Sequence, residues 1–69
     1  MKGKVRINET ALEQLLEIRS TGLTNMFDFY TVQRLAYEMN FYELVEWMEE
    51  HKNEYGALIM YGAADDDNV

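Results

Sequence analysis

Asn40 constrains this chain more than any other residue. Apolar patterns of helical period lie on both sides of it, and the junction Met39-Asn40-Phe41 leaves almost no room for a loop. Asn tolerates the left-handed backbone that ends a helix, and its side-chain oxygen can cap the helix that follows. With Glu43 three residues on, Asn40 to Glu43 has capping-box spacing, and Met39 and Leu44 stand where a hydrophobic staple would. Two helices meet here nearly end to end.

The segment before this pair begins with equal clarity. Asn8 is placed to cap a first helix, with Ile7 and Leu12 at staple positions and Glu9 in the first turn, where negative charge suits the helix dipole. Ala11, Leu12, Leu15 and Leu16 recur at helical spacing and mark the buried stripe. Gly22 takes the left-handed ending, which sets Ile18 and Leu23 as the contact pair of a Schellman cap. Either Asn25 or Asp28 caps the second helix, and Met26 and Phe27 are expected to plug the end of the core between helices, with a pair protruding toward a partner as the alternative. Phe29, Val32, Leu35, Ala36 and Met39 form the second helix's core face.

In the third helix, Phe41, Leu44, Val45, Met48, Tyr55 and Ile59 share one side, with Trp47 and Leu58 on its shoulder. Gly56 weakens that helix by roughly 1 kcal/mol relative to Ala. The spacing therefore predicts an all-α, three-helix domain over residues 8–62, with helices at about 9–21, 29–39 and 41–60. Ala57 to Tyr61 has a second reading, as a short strand beside residues 4 to 7. Residues 1–7, rich in Lys and Arg, are expected to form a flexible basic arm or an extended docking segment. Residues 63–69 are expected to form a disordered acidic tail.

Composition excludes several functions. Thirteen acidic residues oppose six basic ones, a net charge of −7, which disfavours phosphate backbones and anionic membranes as partners. No apolar run approaches the roughly 20 residues that span a bilayer, and no signal peptide opens the chain, so a cytoplasmic location is expected. With one His, one Ser and no Cys, neither a nucleophile–His pair nor a zinc cluster has enough parts. His51 reads as a core-edge residue. The run Asp65-Asp66-Asp67 lacks the spaced ligands of a calcium loop. No enzyme, metal or cofactor is expected. The tight helix pair also raises a helix-turn-helix reading, but its last helix presents Glu where a DNA-reading helix needs Arg, Lys, Asn or Gln.

Two surfaces remain as candidates. Tyr30, Arg34 and Tyr37, joined by Tyr42 and Trp47, form an aromatic face suited to a protein partner or to self-association. Glu43, Glu46, Glu49, Glu50 and Glu54 form an acidic arc, either a solvated face or an imitation of nucleic-acid phosphates.

The stretches ALEQLLEIRSTG (11–22), TNMFD (24–28), VQRLA (32–36) and FYELVEWMEEHKNEY (41–55) resemble a family of short proteins encoded by tailed phages and prophages, catalogued as a domain of unknown function. The resemblance covers about 50 of the 69 residues and supplies no catalytic residues. It implies a small protein in the cytoplasm of an infected or lysogenic host, acting by binding a host or phage protein. The leading expectation is a non-enzymatic interaction module. The alternatives are an acidic DNA mimic that inhibits a host defence nuclease or restriction enzyme, and an oligomeric assembly or packaging accessory.

Overall fold

A computed structural model describes residues 5–63. The expectations for residues 1–4 and for the tail over 64–69 lie outside the described residues. The chain runs α1 (Glu9–Thr21), α2 (Phe29–Glu38), α3 (Tyr42–Glu50) and α4 (Lys52–Tyr61). The all-helical expectation holds, with the third predicted helix divided into α3 and α4.

Each end of α1 is closed by its own sequence. Asn8 Oδ1 accepts the Ala11 N–H at 2.7 Å, and Gly22 is left-handed at φ +66 with its N–H donated to the Arg19 carbonyl. The ending differs from the expected Schellman cap in one bond. The Thr21 hydroxyl donates to the Ile18 carbonyl and accepts the Leu23 N–H, so it relays the link that a Schellman motif makes directly. Leu23 is 73% exposed, while Ile18 is fully buried. The core, rather than the cap, claims Ile18.

Asp28 caps α2, accepting the Thr31 N–H at 3.3 Å and the Thr31 hydroxyl at 2.8 Å. Asn25 instead turns the preceding loop, where its side chain accepts the Phe27 N–H. Of the two expected plugs, Met26 packs against the core, whereas Phe27 is exposed.

Asn40 adopts φ +65, as the helix junction requires, yet it does not cap α3. Its side-chain oxygen accepts the Tyr42 hydroxyl at 2.9 Å, and Phe41 occupies the cap position without a side-chain bond. The missing cap comes from another helix. Gln14 of α1 presents Oε1 to the Leu44 N–H at 3.0 Å, satisfying one of the free amides in the first turn of α3.

The division between α3 and α4 falls at His51, whose backbone leaves the helical region at φ −129, ψ 43. Its N–H and its ring Nδ1 both donate to the Trp47 carbonyl at 2.9 Å, and the ring stacks on Trp47 at 4.7 Å between centroids. Because a carbonyl only accepts, Nδ1 must carry the proton. The bend re-aims α4, so counting 100° per residue through it mislabels the faces. Trp47 and Leu58 enter the core beside Leu44, Met48 and Tyr55, while Val45, Ile59 and Phe41 are only partly buried.

The core is completed by α1, which packs on α3 and α2, and by α2 on α3. Ala11, Leu15, Ile18, Val32 and Ala36 supply its first half. Leu16, expected in the stripe, is exposed. Tyr55 ties α4 to the loop between α1 and α2. Its hydroxyl donates to the Met26 carbonyl at 2.6 Å, and its ring meets Phe29 edge to face at 5.3 Å.

Residues 5–7 correct the expectation of a flexible arm in favour of its extended alternative. Val5 and Ile7 are buried while Arg6 between them is exposed, the period-two pattern of an extended strand. The Val5 N–H donates to the Gly62 carbonyl at 3.1 Å, and Val5 forms an isolated parallel bridge with Ala63. The strand alternative for 57–61 is overturned, since those residues complete α4. Backbone pairing with the N-terminal segment begins just after it.

Candidate functional site

Helical spacing sets Tyr30, Gln33, Arg34 and Tyr37 along one side of α2. With Val45 of α3 they line a shallow groove of about 280 Å³ between the two helices. Tyr30, Tyr37 and Tyr42 are 70%, 62% and 53% exposed. Each ring is nonetheless held. Tyr30 sits edge-on to Phe29 at 5.1 Å, Tyr37 edge-on to Tyr42 at 5.7 Å, and Tyr42 is tethered through its hydroxyl to Asn40. Rings ordered before a partner arrives lose less side-chain entropy on binding.

Trp47 does not belong to this face. It is 5% exposed and its ring is committed to the core and to the His51 stack. Helical spacing set it on the shoulder of the apolar side of α3, and the core claims it, contrary to its expected place on the partner face. Arg34 forms an ion pair with Glu38 one turn on, at 3.5 Å with both side chains well exposed. Such a pair contributes well under about 1 kcal/mol and leaves the tyrosine faces open.

Gln33 is the residue that sequence reasoning missed. Its Nε2 donates to the Val45 carbonyl at 3.3 Å and to Glu49 Oε1 at 3.1 Å, bridging α2 to α3 at the floor of the groove. Its spacing from Tyr30 and Tyr37 was the available signal. The Gln33 amide, and then the Lys52 charge, hold the Glu49 carboxyl below the usual carboxylate range.

Glu43, Glu46, Glu49 and Glu50 are all exposed on α3, and Glu54 is exposed on α4 beyond the bend. Glu49 also pairs with Lys52 at 3.5 Å. The five carboxylates therefore lie on two helices of different direction rather than on one straight arc. Every described Asp and Glu is exposed. Among the described residues no three His, Cys, Asp or Glu side chains cluster as metal ligands, and no helix is long and apolar enough to cross a membrane. Tyr55 is the strongly shifted acid of the described chain. Burial, with the Asp28 charge adding, pushes its hydroxyl up to about 12.

These features define a small all-α domain with a preorganised tyrosine face over a groove between two helices. Residues 7–63 match the DUF5049 family, described as a domain of unknown function, and the chain belongs to that family. Neither a curated protein nor a solved structure matches it.

Proposed function

We propose that the domain is a non-enzymatic interaction module that docks a protein partner on the α2–α3 tyrosine face. The observation that carries this reading is the set of Tyr30, Tyr37 and Tyr42, exposed yet individually braced. Tyr is enriched among the residues that dominate protein interfaces, because it offers a large contact area with few torsions to freeze. The setting proposed is a phage or prophage protein in the host cytoplasm, on the strength of the sequence resemblance described above. A DNA-mimic inhibitor is the second reading, favoured by the exposure of Glu43, Glu46 and Glu50 on α3. The bend at His51 counts against it, since a phosphate mimic benefits from carboxylates held in one continuous array.

Capture from nuclease-treated host lysate with the wild-type chain and three variants as baits separates the readings. Under the docking reading, Tyr30→Ala and Tyr37→Ala each weaken the captured complex by roughly 10-fold, about 1.4 kcal/mol, while Glu43→Gln with Glu46→Gln and Glu50→Gln leaves it intact. The reverse pattern, with strong salt dependence, supports the mimic. A complex between copies of the bait alone, with a melting temperature that rises with concentration, supports an oligomeric accessory.

A further inference from the structure

A second concavity is lined by other residues of α1, and Gln14 is not among them. It is a groove of about 430 Å³ between α1, the loop before α2 and the end of α4, walled by Leu12, Leu15, Leu16, Met26, Leu58 and Ile59 and closed by Gly62 and Ala63. Its volume falls in the range of small-molecule sites, which are mostly apolar with a few polar groups that fix orientation.

Among the described residues one charged side chain lines it, Arg19. This placement is unusual for the chain. Acidic residues outnumber basic ones by thirteen to six, yet among the described residues none lines this groove and Arg19 has no ion-pair partner. Its position in the last turn of α1 suits the helix dipole, but that role asks nothing of the apolar wall beside it. Leu16 is half exposed there, an apolar side chain that folding alone leaves in water.

We infer that the groove binds an aliphatic chain ending in a carboxylate, with the chain along the Leu12, Leu16 and Ile59 wall and the carboxylate on Arg19. Charge complementarity selects the head group. A cationic amphiphile would meet Arg19 as a like charge, and a neutral one would forgo the charge-assisted bond that a guanidinium makes with a carboxylate. The inference is independent of the docking function, because the tyrosine face lies over α2 and α3 and shares no residue with this groove.

The test is an NMR titration of the full chain with dodecanoate below its micelle concentration, at physiological ionic strength. Saturable shifts are expected at Leu12, Leu16, Arg19, Leu58 and Ile59, with Tyr30 and Tyr37 unmoved. Octanoate and decanoate should bind more weakly, by about fourfold per methylene removed. Arg19→Gln should weaken dodecanoate by about tenfold, and Leu16→Gln should weaken it as well. Both positions are exposed, so the variants should keep the wild-type circular dichroism spectrum. Dodecyltrimethylammonium should bind at least about tenfold more weakly than dodecanoate. Absence of saturable shifts would overturn the inference. So would equal binding of the two head groups, an Arg19→Gln variant of unchanged affinity, or shifts spread over α2 and α3.

Discussion

Replacing Gln14 with Met tests whether α3 depends on a cap supplied by a different helix. The substitution keeps the length and apolar stem of the side chain but removes the Oε1 acceptor of the Leu44 N–H. No local group is placed to take over, because Phe41 makes no side-chain cap bond and Asn40 is engaged with Tyr42. Leu44 is fully buried, so water reaches its amide poorly. Losing a helix N-cap costs about 0.5–2 kcal/mol, and an unpaired amide in a part-buried site costs about 1–3 kcal/mol. The overlap gives about 1.5 kcal/mol. For a domain of this size each kcal/mol shifts the melting temperature by about 4–8 °C, so the variant should melt roughly 6–12 °C lower by circular dichroism. The Leu44 amide should also lose hydrogen-exchange protection selectively. Gln14→Glu keeps an acceptor and places negative charge at a helix N-terminus, so it should melt at or above wild type. A Gln14→Met shift under about 1 °C, or an equal loss in Gln14→Glu, would refute the reasoning.

Three further perturbations follow from the geometry. Tyr55 is an acid whose folded value, about 12, lies above its ordinary value of 10.0. Its contribution to stability is therefore complete below about pH 10 and is lost as pH rises through about 12. Urea melts should show wild type losing that stability over this window and Tyr55→Phe losing less of it, after starting about 1 kcal/mol lower at pH 7 for want of the Met26 bond. Gly56→Ala should raise stability by about 0.5–1 kcal/mol, since the residue lies within α4, a new Cβ meets nothing within 4 Å, and Ala is the better helix former; a lowered melting temperature would contradict this. Trp47→Ala should cost about 3–5 kcal/mol, while Tyr42→Ala should cost less than about 1 kcal/mol, a contrast that denaturant titration reads directly.

Signals that were local in the sequence survived into the structure. Asn8, Gly22 and Asn40 take the backbone conformations that their chemistry favours. Val32, Ala36, Phe29 and Leu35 of α2 pack inward as their spacing implies, whereas Met39, expected on the same face, ends the helix and is exposed. What could not be read was set by contacts distant in sequence. The cap on α3 comes from Gln14, thirty residues away, so the Asn40 capping box had a competitor invisible to any local window. The bend at His51 has no Gly or Pro to announce it; His and Asn at 51 and 53 are merely poor helix formers. Trp47 stood on the shoulder of the apolar side by spacing, where only packing against the other helices decides that it is buried. The buried Val5–Ile7 segment was ambiguous because a short alternation gains stability only from its partner at residues 62–63. Of the candidate site, the tyrosines were legible from helical spacing alone. Their bracing by Phe29, by one another and by Asn40 was not.

The most direct test of the docking surface is site-resolved photo-crosslinking in host cells, with a benzophenone amino acid placed singly at Tyr37, Tyr42, Glu50 or Met60. All four positions are exposed, so each variant should fold and each reactive group should face solvent. The account predicts one discrete adduct, of the same mass, from positions 37 and 42 and none from 50 or 60. Adducts from position 50 or 60 with none from 37 or 42 would contradict it and move the working surface off the α2–α3 face.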